Sequence, residues 1–232
     1  GSSSPKKENY PVYMAPNGEN FRGITAAKIL ANTNQYTIDK IITSGYDTYL
    51  SVFDLLIPAL VKAYDNKKTD PAYQIPENVI SLLTNWDRRS GESSIATTVA
   101  IEWAQKLFPT IVKGTGHPDE LPDIVEKTKR FTNTATAEAL LTPLSNTIND
   151  LIKKFGNWQK PWGEINRFQR LSGELTEKYD DAQPSIPCGF AASTWGCLPS
   201  FVSRTQQGTK LRYGTSGNSF ICAIEVGKKI KA

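Results

Sequence analysis

Trp158-Gln-Lys-Pro-Trp-Gly-Glu-Ile-Asn-Arg-Phe-Gln-Arg170 is the stretch at which this chain changes character. Upstream of it, apolar residues recur at helical spacing. Downstream, Gly, Pro, Ser and Thr dominate from Gly173 to Gly217, and only short alternating pieces remain. Two tryptophans stand beside Glu164, Arg167 and Arg170, so bulky apolar rings, each with one N–H that wants a partner, meet charged groups. The stretch reads as a junction where a helical layer hands over to a β-rich tail, with Glu164 and Arg167 as a structural network rather than catalytic groups. The fold class is therefore α+β, helical over residues 10–157 and β-rich over 158–232.

Working back from Trp158, the cleanest helical stripe is Leu141, Leu144, Ile148, Leu151, Ile152 and Phe155, ended by Gly156 in a C-cap role. Earlier helices are expected over Pro122–Phe131 and over Ser93–Val112, the latter carrying Val99, Trp103 and Leu107. Another starts after Pro76, with Val79, Leu82, Leu83 and Trp86 at i, i+3, i+4 and i+7. Tyr46–Ala63 places Tyr49, Val52, Phe53, Leu56, Ile57 and Leu60 on one side, with Pro58 set to kink or break it. Thr37-Ile38-Asp39 opens a helix with Ile38, Ile41 and Ile42 inward. Ile24, Ala27, Ile29 and Leu30 give a short amphipathic set after Phe21. Residues 1–20 are polar and turn-rich, and 1–9 read as a tag- or linker-like disordered lead.

Forward of Trp158, β-like pieces fall at Ile165–Leu171, Thr209–Tyr213 and Phe220–Val226. In the last, Phe220, Cys222, Ile224 and Val226 alternate with Ile221, Ala223 and Glu225 as in a strand, with little room for partner strands after it. The chain thus reads as a piece of a larger protein. It contains no internal repeat.

Composition narrows the functional classes. The 232 residues are 39% hydrophobic with a mean hydropathy of −0.39, as in an ordinary soluble globular protein. No apolar run approaches the ~20 residues of a membrane helix. The longest, Leu50–Val61, is interrupted by Asp54 and Pro58 and reads as a buried helix. The net charge of +4 is mild and the Lys and Arg residues are interspersed with acids, so no stripe tracks a phosphate backbone; nucleic acid and membrane are not expected partners. Cys188, Cys197 and Cys222 are odd in number and lack CxxC spacing, which argues against a zinc site or a disulfide framework. Three buried thiols are expected, with a Cys188–Cys197 bridge across a loop as the alternative.

Candidate chemistry is sparse. His117 is the only histidine and sits in a Gly/Pro loop beside Asp119 and Glu120 without a second ligand at useful spacing, so it reads as a loop residue and no metal site is expected. Ser4-Pro-Lys-Lys7 matches S-x-x-K but lies in the lead, and no K-T-G follows. Gly214-Thr-Ser-Gly217 approaches a nucleophile elbow, yet Asn218 stands where the final glycine should be; a turn between strands is the reading. Trp86-Asp87-Arg88-Arg89 suits a corner with local ion pairs before the helix entry at Ser90–Ser94. Arg22 differs from these. It opens a helix after the polar Asn17-Gly-Glu-Asn20, so its guanidinium can reach a cleft and hold a carboxylate or developing anion, or else pair with Glu19 at the surface.

Taken in order, several segments resemble the penicillin amidase family of N-terminal-nucleophile hydrolases, especially its acyl-homoserine-lactone and aculeacin acylase branch. They are Tyr10-Pro-Val-Tyr13, Glu19-Asn-Phe-Arg22, Tyr46-Asp47 leading to Ile57-Pro58-Ala59-Leu60, Trp86-Asp87-Arg88, Trp162-Gly-Glu-Ile-Asn-Arg167 and Tyr213-Gly-Thr-Ser-Gly-Asn218. The resemblance implies an αββα enzyme that cleaves a linear N-acyl amide by acyl transfer to an N-terminal serine, with an asparagine in the oxyanion hole and no cofactor. It places this chain as an internal piece of the large subunit, with the serine upstream of it. Arg22 falls where the family keeps an arginine supporting the nucleophile and oxyanion region. The oxyanion asparagine would fall just before Tyr10, where Asn9 directly abuts Tyr10-Pro11. The family's calcium ligand has no acidic counterpart in Val12–Pro16.

The resulting expectation is a fragment inactive alone. Its partners would be the small subunit, the N-terminal part of the large subunit and an N-acyl amide substrate. By the same resemblance the parent is periplasmic or secreted, with quorum quenching and antibiotic biosynthesis as its settings. The rival is a non-catalytic carbohydrate- or protein-binding module using the Trp/Tyr-rich surface around Trp158, Trp162 and Trp195; buried tryptophans would favour the enzyme piece.

Overall fold

The computed structural model describes residues 9–11, 18–32, 35–68, 70, 73, 75–113, 123–174, 176–218 and 220–227. Most of the 1–9 lead, Ser4–Lys7, the Val12–Pro16 interval and His117 lie outside the described residues.

Helices come first: α1 (Phe21–Ala31), α2 (Ile38–Gly45), α3 (Phe53–Asp65), α4 (Glu77–Thr84), α5 (Ile95–Val112), α6 (Ile124–Thr134), α7 (Ala137–Phe155) and α8 (Trp162–Ile165). Five of them start on a side chain that accepts a first-turn backbone N–H: Asn20, Thr37, Ser94, Asp123 and Thr136. α7 ends at Gly156, whose φ of 83° is open to glycine at no steric cost. The core lies where α5 and α7 pack together and α3 packs on α6 and α7. Phe53, Leu56, Leu60, Val99, Trp103, Leu107, Leu141 and Leu144 are buried there, and the Trp103 indole donates to the Leu140 carbonyl at 3.0 Å.

The helical stripes differ from expectation in places. α3 begins at Phe53 rather than near Tyr46 and runs through Pro58, which is exposed and interrupts nothing packed. No residue of α2 is buried and Ile42 is exposed, because no layer of the described residues covers the face of this eight-residue helix. In α1 the inward residues are Phe21 and Thr25, and Leu30 is exposed. Ile152 of α7 also faces solvent.

After α8 the chain enters a four-stranded sheet of β1 (Asn166–Phe168), β2 (Ile186–Pro187), β3 (Phe201–Thr205) and β4 (Arg212–Gly217), in the order β2-β1-β4-β3. β1 and β4 are parallel, and the other two pairs are antiparallel. Two readings are corrected here. Gly214–Gly217 is strand, not turn: Phe201 lies across Gly214 so closely that a Cβ would stand 2.2 Å from its Cζ. Glycine there makes room for an aromatic ring from the neighbouring strand. Phe220–Val226 forms no strand of this sheet, and Phe220 and Val226 are 82% and 86% exposed. Alternation marks a strand only where a neighbour offers backbone partners.

The helix–sheet junction is dense. Gly163 N–H donates to the Glu92 carbonyl at 2.7 Å, and a Cβ on Gly163 would stand 2.9 Å from Glu92 Cβ. Buried Asn166 donates from Nδ2 to the Cys188 and Phe190 carbonyls, and the Trp162 indole donates to the same Phe190 carbonyl at 3.0 Å. All three cysteines are free. Cys197 is buried, Cys188 half-buried and Cys222 exposed, so the expected burial fails at Cys222, which lies in the uncovered segment after β4.

Candidate functional site

Arg22 occupies the first turn of α1, and the local packing explains its placement. Phe21 and Thr25 point inward and are buried. Thr25 Oγ1 donates to Ser51 Oγ at 2.9 Å, and Ser51 Oγ donates to the Phe21 carbonyl at 2.9 Å. A 3-10 turn, Ser193–Trp195, closes against this helix and ends at Gly196 with φ 118°. A Cβ on Gly196 would stand 2.6 Å from the Ser51 backbone nitrogen, so only glycine permits this approach. With its neighbours fixed inward, Arg22 is left on the outer side of the helix start.

Its guanidinium reaches across the chain. Arg22 Nη2 donates to the Leu198 carbonyl at 2.7 Å and to Asn218 Oδ1 at 3.3 Å. Asn218 is itself held: its Nδ2 donates to the same Leu198 carbonyl at 3.2 Å, and its backbone N–H donates to the Ser200 carbonyl at 3.1 Å. Nη1 and Nε of Arg22 have no partner among the described residues. These groups line a cleft of about 880 Å³ with Asn20, Leu198, Gly217, Asn218 and Phe220. A second, more apolar cleft of about 570 Å³ shares Gly217, Asn218 and Ile221 with the first and is floored by Phe168, Phe190 and Phe201. A cation with unused N–H donors thus stands beside an apolar recess. That arrangement suits an acyl compound whose polar end carries or develops negative charge.

Glu164 and Arg167 lie apart from this cleft. Glu164 is exposed and accepts from Lys160 at 3.2 Å, one helical turn away. Arg167 donates from Nε to Ser185 Oγ at 2.9 Å, from Nη1 to the Gly163 carbonyl at 2.8 Å, and from Nη2 to the Ser185 carbonyl. The two side chains therefore serve different partners: Arg167 ties the chain before β2 to the junction, and Glu164 makes a surface pair.

The Trp86–Arg89 corner makes local hydrogen bonds, Trp86 Nε1 to the Arg89 carbonyl and Arg89 N–H to Asp87 Oδ1, but its ion pairs are not local. Arg88 and Arg89 bind Asp54 and Asp47, 34 and 42 residues away, each at 2.9 Å. Asp54 also accepts from Lys28 at 2.7 Å and from the Tyr49 hydroxyl at 2.5 Å. The hydrogen bond to Asp54 raises the Lys28 ammonium above its usual range, and burial followed by the Asp54 bond raises the Tyr49 phenol. The cluster is an ionic knot in which Asp54 is shared by Lys28, Tyr49 and Arg88, while the buried Arg88 Nε makes no hydrogen bond among the described residues.

Among the described residues no group of three His, Cys, Asp or Glu side chains could hold a metal ion, and no helix is long and apolar enough to cross a membrane. Trp162 and Trp195 are buried, at 1% and 6% exposure, and Trp158 is half-buried; a sugar-stacking surface would need these rings open. The sequence offered Arg22 as a candidate but no hint of its partners. Asn218 stands out in the sequence as the residue that spoils G-x-S-x-G and as the end of the Tyr213–Asn218 segment, neither of which links it to Arg22, and Leu198 contributes a backbone carbonyl that any residue could supply.

A family model described as penicillin amidase matches residues 3–232. No curated protein matches the chain.

Proposed function

The chain belongs to the penicillin amidase family, and from that premise we propose that it forms one wall of the acyl-transfer site of an amidohydrolase, with Arg22 supporting the region where negative charge develops. The observation that carries this reading is the Arg22 guanidinium, anchored through Nη2 and lining the large cleft with Nη1 and Nε unpartnered among the described residues. In acyl transfer the attacked carbonyl oxygen becomes an oxyanion, and a preoriented donor lowers that barrier without reorganising during the reaction. The serine nucleophile, its α-amine base and the oxyanion asparagine come, on this reading, from parts of the parent enzyme outside residues 1–232. The small subunit and the N-terminal part of the large subunit are the partners. The substrate is an N-acyl amide, the products a carboxylic acid and an amine, and no cofactor takes part. A periplasmic or secreted setting, with a role in quorum quenching or antibiotic biosynthesis, belongs to the same proposal.

The test is reconstitution. The purified chain alone should not hydrolyse a phenylacetyl amide or an N-acyl-homoserine lactone, and the chain co-expressed with the remaining parent segments should. In the reconstituted enzyme Arg22→Ala should lower kcat on the order of a hundredfold, the scale for loss of one oxyanion-type donor. Turnover by residues 1–232 alone, or full activity of the Arg22→Ala enzyme, overturns the reading.

A further inference from the structure

Arg22 is held in an unusual way for an anion-binding arginine. A guanidinium can grip a carboxylate bidentately on two faces: one pairs an Nη2 N–H with the Nε N–H, the other pairs the second Nη2 N–H with an Nη1 N–H. Nη2 is common to both. Here Nη2, which carries two N–H groups, already serves two acceptors, the Leu198 carbonyl at 2.7 Å and Asn218 Oδ1 at 3.3 Å. Nε and Nη1 remain, yet they cannot form a parallel pair without Nη2. The arginine can therefore offer single-donor contacts from Nε or Nη1 but cannot clamp the two oxygens of one carboxylate in parallel.

We infer that Asn218 is a specificity-determining residue that blocks bidentate capture of carboxylates by Arg22. The inference rests on the reading of Arg22 as the charge-supporting group of an acyl-transfer site. Hydrolysis of an N-acyl amide releases a carboxylate in that site, and an arginine with an open fork would retain it. A single developing oxyanion oxygen needs only the single-donor contacts that Nη1 and Nε still offer. Asn218 suits the role because its position does not depend on Arg22. Its Nδ2 is tied to Leu198 and its backbone to Ser200, and Gly217 before it runs so close to Ser200 that a Cβ would stand 2.5 Å from that carbonyl oxygen. The acceptor is thus presented at a fixed place.

The experiment is a titration of phenylacetate into the 232-residue chain by calorimetry, with acetate as a second probe. Asn218→Ala leaves the backbone bond to Ser200 intact, frees one Nη2 N–H and opens one bidentate face. It should tighten phenylacetate binding about fivefold or more, roughly the weight of one added charge-assisted hydrogen bond. Asn218→Ser, whose side chain is too short to span the gap, should do the same and guards against misfolding of the alanine variant. Asn218→Asp keeps the acceptor and should not tighten binding. Adding Arg22→Lys to Asn218→Ala should abolish the gain, because an ammonium has no fork. The inference is overturned if neither Asn218→Ala nor Asn218→Ser binds phenylacetate more tightly than the parent chain, or if the gain survives Arg22→Lys. A gain in binding together with full activity of the reconstituted Arg22→Ala enzyme would leave the fork argument standing and remove the catalytic reading.

Discussion

Arg212 of β4 donates from Nη1 to Glu102 Oε1 of α5 at 2.8 Å, joining the sheet to the helical layer across 110 residues of sequence. The same guanidinium donates to Gln105 Oε1 at 3.0 Å and to the Ser203 carbonyl at 2.6 Å, and it lies over the Trp162 ring. The charge is nearly buried but fully served, so its removal unpairs several groups together. Arg212→Ala should cost about 3 kcal/mol in urea unfolding, within the range for breaking a buried pair. Glu102→Gln keeps an acceptor and should cost about 1 kcal/mol. Equal costs for the two variants would show that the pair, rather than the whole set of partners, dominates.

Gly214 tests the contact between β3 and β4. A methyl group there would meet the Phe201 ring at 2.2 Å, so Gly214→Ala should destabilise by about 2 kcal/mol. The double variant Gly214→Ala/Phe201→Leu should recover part of this loss, giving a non-additive cycle in denaturant melts. Simple addition of the two single costs would mean that the ring turns aside in the Gly214→Ala variant.

Arg88 holds φ at 61°, the only non-glycine residue with positive φ among those described. Its side chain pairs with Asp54, so substitution removes a contact and can also relieve the backbone. Comparing Arg88→Gly with Arg88→Ala isolates the second effect, since both lack the guanidinium. The glycine variant should be more stable by about 1 kcal/mol in the same unfolding assay. Parity between the two would show that the turn relaxes.

The cysteines give a pH prediction. Burial pushes the Cys197 thiol from 9.0 up to about 11. Between these values the unfolded chain has released a proton that the folded chain still holds. The stabilising contribution is therefore complete below pH 9 and is lost as pH rises through about 11. The loss should reach about 3 kcal/mol, and Cys197→Ala should flatten that part of the stability profile. Burial also raises the Tyr213 phenol, so its contribution runs in the same direction at higher pH. At pH 8 a thiol reagent should modify Cys222 rapidly, Cys188 slowly and Cys197 only on unfolding.

How far the sequence could be read follows from the range of each interaction. The α7 stripe with Gly156 was legible because periodicity and cap lie within one helix. The stretch Trp158–Arg170 contains the passage from α8 into β1, with Trp162 and Asn166 on its two sides. β3 escaped because Phe201-Val-Ser-Arg-Thr205 has no alternation of its own, and its partner is a glycine-containing strand that resembles a turn. Phe220–Val226 shows the converse, a strand-like pattern outside the sheet. For the site, residue type and helix position nominated Arg22. The contact that defines its geometry comes from a side chain 196 residues later.

The Leu198 carbonyl, which accepts from both Arg22 and Asn218, also bears on the order of assembly. The hydrophobic core is drawn mostly from residues that precede Gly156, with Trp162, Ile165, Ala191, Trp195 and Cys197 joining it from the tail, whereas the cleft needs the first helix, Leu198 and the end of the last strand at once. Closing such distant segments carries the larger loop entropy and belongs to the late part of folding. During synthesis the hydrophobic interior can consolidate while the cleft is still missing half of its wall. A truncation just before Leu198 would then yield a chain that is packed, helical and unable to orient its arginine.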